Sequence, residues 1–258
     1  MKKTIAIVGI MAMMVSLAAC GKKETKVINS VEDLTGAKIG VQKGTTGHIY
    51  VADEYGDEST ECYNSGFEAV QALTQGKIDA VIIDDQPAQE FVKQNGKVKI
   101  LEQEFALEDY AIAIAKGNED LKEKINTALK QIKEDGTFQA SVDYYIGHVE
   151  GSAPYVKKDV ERTNGTLHMA TNAKFEPYEY FEGENIIGLD IDMAQAIADI
   201  LGMELKVTHI DFDSIIPSVV TGKADIGVAG MTVTEERLEN VDFSDTYYTG
   251  RQVIIVNK

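Results

Sequence analysis

The chain has 258 residues, of which 42 are acidic and 25 are basic, giving a formal net charge of −17. This length suits one large domain or two of ordinary size. So negative a surface repels phosphate backbones and anionic lipid heads, which argues against nucleic-acid binding and against electrostatic recruitment to membranes. We therefore expect a soluble, monomeric protein, although the charge by itself also fits a surface that is merely well solvated.

The N-terminal residues form a predicted targeting segment. Two lysines precede an uncharged apolar run over 5–17, which is too short for a comfortable membrane span. The run ends in Leu-Ala-Ala-Cys at 17–20, which resembles the lipobox of bacterial lipoproteins, where the cysteine is acylated. This resemblance predicts a signal peptide over 1–19, lipidation at Cys20 and a polar tether over 20–27. The alternative is an ordinary secretory signal that happens to contain a cysteine.

The remaining cysteine and the histidines predict neither a disulfide nor a metal site. With Cys20 acylated, only Cys62 is left, so no internal disulfide can form, and we interpret Cys62 as structural. The four histidines are scattered without zinc-like spacing. We expect no metal and no cofactor.

Alternating strand and helix patterns along the chain predict an α/β fold. A polar stretch over 151–165 is interpreted as a linker between two such units. Strands are predicted over 38–41, 78–83, 110–115, 167–171 and 205–207, and helices over 119–133 and 191–201.

A weak internal repeat indicates that the two units are similar. Segments 73–80 and 219–226 each contain an apolar helix end, a Gly-Lys turn and an aspartate before an apolar strand. The aspartates, Asp79 and Asp225, are 146 positions apart, which is too long for a solenoid repeat but suits two lobes. Coincidence of a common helix-glycine-strand pattern is the alternative.

The residues that follow these two strands suggest a ligand cleft. Asp85 lies six positions beyond Asp79, and Gly230 and Thr232 lie at the corresponding place in the other unit, with Arg237 shortly after. Ligands of open α/β sheets bind at the carboxyl ends of strands. A carboxylate facing a guanidinium, which can bind a carboxylate with two hydrogen bonds, suits a zwitterion.

A second anion site is predicted at the Gly-Thr-Thr-Gly turn over 44–47, between a strand and a helix. Backbone N–H groups at a helix start favour negative charge. The residue order does not fit a phosphate loop, so a carboxylate ligand is the simpler reading. A plain helix cap formed by Thr45 or Thr46 is the alternative.

Together these segments resemble the extracytoplasmic polar amino-acid-binding proteins that serve ABC importers. The resemblance implies a two-lobe, periplasmic-binding-protein-like (type II) α/β fold with the ligand cleft between the lobes. The matching motifs lie over 171–180, 188–192, 230–237 and 241–248 in the family's first lobe, and over 28–34, 44–47 and 84–88 in its second lobe.

The resemblance also implies a role for each candidate site residue. Arg237 would bind the α-carboxylate of the ligand, and Asp85 its α-ammonium group. The remaining roles are helper donors and acceptors (Thr232, Thr45, Thr46 and Gly230), an aromatic sandwich (Phe175 and Phe212) and a polar selector of the ligand side chain (Asn172). Closure of the lobes around an amino acid would then create the surface that the membrane permease recognises.

The order of the motifs is reversed relative to the family as a whole. We expect a second lobe over 28–112, a crossover strand and helical segment over 113–150, a linker over 151–165 and a first lobe over 166–258. This order predicts a circular permutation in which both new ends fall at a hinge crossover. Loss of a covalent hinge strand would ease opening, weaken the coupling between the lobes or promote exchange of lobes between copies.

Two other functions stay open on the sequence. Cyclohexadienyl dehydratases resemble these binding proteins, and Glu176, Glu179 and Asp84 are candidate catalytic carboxylates. A sensory module that reports amino acids is the other, disfavoured because no linker leads to a signalling domain. The identity of the amino acid is also open, since Asn172 argues against a strictly cationic ligand while the acidic surface argues for one.

Overall fold

The computed structural model describes residues 26–258, and the predicted signal peptide, Cys20 and most of the tether lie outside the described residues. The first half of the described chain alternates strands with helices. Its elements are β1 (Ile39–Gln42), α1 (Thr46–Tyr55), β2 (Thr60–Tyr63), α2 (Gly66–Thr74), β3 (Ala80–Asp84), α3 (Asp85–Gln94) and β4 (Val98–Tyr110).

The second half repeats this alternation and adds a small hairpin sheet. Its elements are β5 (Ala113–Ala115), α4 (Glu119–Glu134), α5 (Thr137–Tyr145), β6 (Thr166–Thr171), β7 (Lys174–Phe175), β8 (Glu179–Glu182), β9 (Asn185–Ile187), α6 (Leu189–Leu201), β10 (Glu204–His209), α7 (Ile215–Val220), β11 (Ile226–Gly227), α8 (Glu235–Leu238), β12 (Val241–Phe243) and β13 (Tyr248–Asn257).

Two five-stranded sheets form the cores of two lobes, as the predicted two-lobe α/β fold requires. One sheet has the order β2-β1-β3-β13-β4 and defines the second lobe; the other has the order β10-β6-β11-β5-β12 and defines the first lobe. The central strands are runs of buried apolar residues, as in β3, because helices cover both faces of the sheet. No helix within residues 26–258 is long and apolar enough for a bilayer crossing.

The internal repeat corresponds to the same local structure in both lobes. The side chain of Asp79 accepts from the Lys38 N–H at 2.9 Å, and that of Asp225 accepts from the His168 N–H at 2.8 Å. Each aspartate thereby fixes the start of the neighbouring strand. The glycines of the two turns, Gly76 and Gly222, adopt left-handed φ angles of 69° and 70° and end the preceding helices in the same way.

The last strand lies in a different lobe from the one predicted, since the sequence placed all of 166–258 in the first lobe. Strand β13 pairs antiparallel with β3 and β4, so it belongs to the sheet of the second lobe. Its buried residues Ile254 and Val256 pack in one cluster with Ile28. The predicted strand over 110–115 is likewise divided, because β4 ends in one lobe and β5 begins in the other.

The chain therefore passes between the lobes twice, through 111–112 and through 244–247. The two passages run side by side: the Ser244 N–H donates to the Ile112 carbonyl at 3.0 Å, and the Tyr247 N–H to the Tyr110 carbonyl at 2.8 Å. The expectation that a covalent hinge strand is lost is wrong, because β13 continues beyond the second passage.

Residues 152–164, which we call the strap, lie across α6 of the first lobe. The Tyr155 N–H donates to Asp192 at 2.6 Å, and Asp199 accepts from the Lys158 N–H at 2.7 Å and from Arg162 at 2.6 Å. The predicted linker is thus attached to the lobe by two carboxylates of one helix.

Candidate functional site

A closed cavity lies between the two lobes at the carboxyl ends of their central strands. Its volume is about 300 Å³. Hydrogen bonds between the lobes close it, among them one from Gln42 to Asn172 at 3.1 Å, so ligand entry requires the lobes to separate. The second lobe contributes Gln42, Thr45, Thr46 and Asp84, and the first lobe contributes Asn172, Phe175, Glu179, Phe212, Ala229, Gly230, Thr232 and Arg237.

Arg237 is the cation of this cavity and is only 5% exposed. Its one-turn helix is capped by Thr234, whose hydroxyl accepts from the Arg237 N–H at 3.2 Å. Its guanidinium donates to the Thr232 carbonyl at 2.7 Å and to the Gly44 carbonyl of the opposite lobe at 3.0 Å, and its centre lies 5.4 Å from the Phe212 ring. Burial lowers the pKa of Arg237, but a guanidinium keeps its proton in proteins, and its other N–H groups can bind an anion.

The two threonines of the Gly-Thr-Thr-Gly turn have different surroundings. Thr45 is the N-cap of α1: its hydroxyl donates to the Gln42 carbonyl at 2.8 Å and accepts from the His48 N–H at 3.4 Å. Thr46 is buried and is the first residue of the ten-residue helix. N–H groups at this position have no intrahelical partner, so they are available to a carboxylate in the cavity.

The structure brings Asp84, and not Asp85, into the cavity. Asp84 ends β3, is 5% exposed and accepts a hydrogen bond from the Tyr110 hydroxyl. Asp85 begins α3 and its carboxylate pairs with Nε of Arg251 at 3.2 Å, outside the cavity lining. The aspartate that lines the cavity is thus the one before the predicted Asp85, because consecutive residues at a strand end point in opposite directions.

The aromatic pair and the polar selector lie in the cavity wall. Gly230 has a φ of 50°, and a Cβ atom there would come within 2.8 Å of the Phe175 ring, so glycine lets the ring lie against the backbone. The Asn172 side chain donates to the Ile210 carbonyl at 2.7 Å and accepts from Gln42 of the opposite lobe at 3.1 Å. Sequence reasoning missed Gln42, which is the last residue of a buried strand.

Glu179 is a buried acid at the first-lobe side of the cavity, and neither of its carboxylate oxygens has a hydrogen-bond partner in the described structure. Burial, followed by the charge of Asp190, raises the pKa of Glu179 well above its ordinary value. Burial also raises the pKa of Asp190, to about 6, although the Gly230 N–H and the Tyr247 hydroxyl donate to it at 2.8 and 2.9 Å. A cationic group that entered the cavity here would give Glu179 a positively charged partner, which none of the described residues supplies.

The candidate catalytic carboxylates do not form one group. Asp84 and Glu179 line the cavity, whereas Glu176 lies outside its lining, near Glu90 and Lys93 of α3. No group of three His, Cys, Asp or Glu residues within 26–258 is arranged to hold a metal ion.

Comparison with known proteins identifies the second half of the chain. Residues 167–258 match the model of the bacterial extracellular solute-binding proteins, family 3. This segment is similar to that family. The matched segment contains most of the first lobe, with Arg237, Thr232, Gly230 and both cavity phenylalanines, and extends through β13.

Individual relatives of the matched segment carry names of amino-acid-binding proteins, not of enzymes. The arginine-binding extracellular protein ArtP of Bacillus subtilis is 44% identical over 92 residues, 36% of each protein. A probable histidine-binding protein of Neisseria gonorrhoeae is 36% identical over 91 residues, 35% of this chain and 34% of the relative. The matched part of the chain thus spans little more than a third of either relative.

A solved structure of an ancestral arginine-binding protein bound to arginine is also similar. It is 46% identical, and the match covers 33% of this chain and 38% of the other with a TM-score of 0.32.

Proposed function

We propose that the protein binds a polar amino acid outside the cytoplasm and delivers it to the permease of an ABC transporter by closure of its two lobes. The observation that carries this proposal is the cavity itself, which places a buried guanidinium and a helix N-terminus near a buried carboxylate. Opposite charges at the two ends of one narrow cavity suit the α-carboxylate and the α-ammonium group of an amino acid.

In the proposed complex, each end of the amino acid has its own partners in the cavity. The α-carboxylate binds the free N–H groups of Arg237, the Thr232 hydroxyl and the N–H of Thr46. The α-ammonium group binds Asp84 and the carbonyl of Gly230. The ligand side chain lies between Phe175 and Phe212, towards Asn172.

We propose a cationic side chain for the ligand, with L-arginine as the first candidate. Glu179 supports this choice, because it is fully buried at the cavity wall, where burial and the charge of Asp190 raise its pKa well above the ordinary value. A cationic group of the ligand beside Glu179 would stabilise its ionised form, which burial disfavours. The arginine-binding and histidine-binding relatives described above agree with a basic amino acid.

Two further proposals concern location and chain order. Lipidation at Cys20 would anchor the mature protein through its lipid, at the outer face of a single membrane or within a periplasm, and the protein would act there as a monomer. The order of the lobes would be a circular permutation of the family's order. The packing of Ile28 beside Ile254 and Val256 supports this, because it brings the start of the second lobe next to its last strand.

A thermal-shift panel of the twenty standard amino acids, followed by calorimetry, tests the proposed function. L-arginine at 100 times its Kd should stabilise the protein by about 2.7 kcal/mol. Arg237→Ala should weaken binding at least about thirtyfold, since a buried charged partner contributes roughly 2–5 kcal/mol. The matched control is Arg251→Ala, because the half-exposed Arg251 pairs with Asp85 outside the cavity.

Unchanged affinity in Arg237→Ala would overturn the assignment. Conversion of the ligand, followed by NMR of the recovered amino acid, would instead favour the enzyme alternative. The circular dichroism spectrum of each variant shows whether the fold is retained.

A further inference from the structure

A second buried carboxylate lies directly behind the ammonium site. Glu108, in β4, is 2% exposed, and its Oε2 accepts from the side-chain amide of Gln252, in β13, at 2.8 Å. Gln252 is in turn the register partner of Asp84 in the sheet. Asp84 and Glu108 are therefore both adjacent to one glutamine, on three neighbouring strands of which β4 and β13 continue into the hinge.

Two acceptor atoms of this cluster have no hydrogen-bond donor. Glu108 Oε1 and Gln252 Oε1 are completely buried, and neither has a partner in the described structure. A buried acceptor without a donor is destabilising, and two ionised carboxylates side by side repel each other as well. One proton held by the two acids would supply the missing donor and remove the repulsion.

The charged surroundings support a shared proton. Burial, followed by the negative charge of Glu108, raises the pKa of Asp84 well above its ordinary value. Among the described residues, the polar and titratable groups that face the pair are Tyr110 from β4, Gln252 from β13, Tyr50 from α1, Arg237 from α8, and Tyr178 and Glu179 at β8. Arg237 is the single cation of this set.

We propose that Glu108 is a positioning residue for the ammonium site, and that Asp84 and Glu108 hold one proton between them until an amino acid binds and that proton is released. The inference rests on the proposed function, since it needs an ammonium group at Asp84. The ammonium group takes over as the donor to Asp84. The O–H bond of the acid pair breaks, both electrons stay on the carboxylate oxygen, and the proton passes to buffer.

The proposal fixes the sign of the pH dependence. Binding requires the ionised pair, so affinity rises with pH for as long as the free protein still carries the proton. Each proton released changes Kd tenfold per pH unit in that range. Affinity becomes independent of pH once the free pair is ionised.

Calorimetry of L-arginine binding in buffers of different ionisation enthalpy, from pH 5 to pH 8, counts the released protons. We expect release of up to one proton in the wild type and a matching fall in Kd as pH rises. Glu108→Gln should reduce the proton count and flatten the pH profile, because Asp84 loses its negative neighbour. The matched control Glu102→Gln, an exposed position of the same strand, should retain the wild-type count.

The wild type alone can overturn the inference: binding without proton release at every pH would do so, even if Glu108→Gln failed to fold. An unchanged proton count in a folded Glu108→Gln protein would also overturn it, since a purely structural role predicts that result. Absence of binding by any amino acid in the thermal-shift panel would instead count against the proposed function.

Discussion

At the scale of single residues, two adjacent aspartates differ in role: the proposed binding role belongs to Asp84 and a structural role to Asp85. Asp84 faces the cavity and the Tyr110 hydroxyl, whereas Asp85 faces Arg251 on the neighbouring strand. Both are nearly buried, so neither burial nor residue type distinguishes them. Only the direction of the side chain at the end of β3 does.

The two aspartates can be tested with the same substitution. Asp84→Asn should weaken amino-acid binding at least tenfold, because a neutral amide cannot compensate an ammonium charge. Asp85→Asn should leave Kd within about twofold of the wild-type value. Titration calorimetry at pH 7.5 compares them; equal losses in the two variants would contradict the assignment of Asp84.

Much of the candidate site could be predicted from the sequence, because its motifs follow glycines and strand ends. Arg237, Thr232, Gly230 and Thr46 were placed in this way. The choice between Asp84 and Asp85 could not be made, since a shift of one position reverses the face on which a side chain lies. Glu108 also escaped, because only the pairing of β4 with β13 brings it near Asp84.

At the scale of elements, Asp199 makes most of the hydrogen bonds by which two carboxylates of α6 hold the strap. Asp199 is 5% exposed and accepts from the Lys158 N–H, Arg162, Gln195 and the Tyr155 hydroxyl. Although burial opposes ionisation, these hydrogen bonds hold the pKa of Asp199 below its ordinary value. The composition of the strap, which is polar and exposed, gave no sign of this anchoring.

Asp199→Ala should destabilise the protein by about 2–4 kcal/mol, because it leaves buried donors and the charge of Arg162 without a partner. Urea denaturation at pH 7.5 measures the change. Asp159→Ala, at an exposed position of the strap, should stay within about 0.5 kcal/mol of the wild type. A similar small effect for both variants would show that the strap is not held through Asp199.

Asp192, about two helical turns earlier in α6, gives the opposite pH dependence. Burial raises its pKa to about 6, against the hydrogen bonds from the Tyr155 N–H and the hydroxyls of Ser141 and Tyr145. The folded state therefore binds this proton more tightly than the unfolded state, whose pKa lies near 4. Its contribution to the free energy of unfolding is largest below pH 4 and is lost as pH rises to about 6.

Asp192→Asn should remove this part of the pH dependence, about 1–3 kcal/mol between pH 4 and pH 7. The measurement is the difference between wild type and variant in urea denaturation across that range. A difference that does not change with pH would refute the raised pKa. Asp159→Asn, an exposed strap position, serves as the control.

At the scale of the whole molecule, three contacts hold the lobes closed. Arg237 donates to the Gly44 carbonyl, Gln42 donates to Asn172, and Lys43 pairs with Asp213 at 2.8 Å. Gly44 is the tightest of these points: its φ is 80°, and a Cβ atom there would lie 2.8 Å from Cβ of Asp213 in the opposite lobe.

Gly44→Ala should therefore hinder closure and weaken amino-acid binding about tenfold or more. Small-angle scattering should show a larger radius of gyration in saturating ligand than for the wild type. Gly36→Ala is the matched control, since its φ of 74° imposes the same backbone strain but nothing lies within 4 Å of its Cβ position. Equal behaviour of the two variants would attribute the loss to strain alone.

The α/β class and the two lobes were predictable because helix-glycine-strand units recur in both halves. Each repeat aspartate, Asp79 and Asp225, fixes a strand start in its own lobe. The sheet to which β13 belongs was not predictable, since an apolar strand pairs equally well with either lobe until long-range packing decides. The hinge prediction failed for this reason.

The two neighbouring passages at 111–112 and 244–247 determine how the lobes can move. A single connecting segment would let one lobe rotate about several axes relative to the other. Two antiparallel passages, hydrogen-bonded to each other at Tyr110 and Ile112, resist twisting and leave one axis of rotation. Every opening then separates Arg237 from Asp84 along the same path, so each closure returns the two charges to the same spacing.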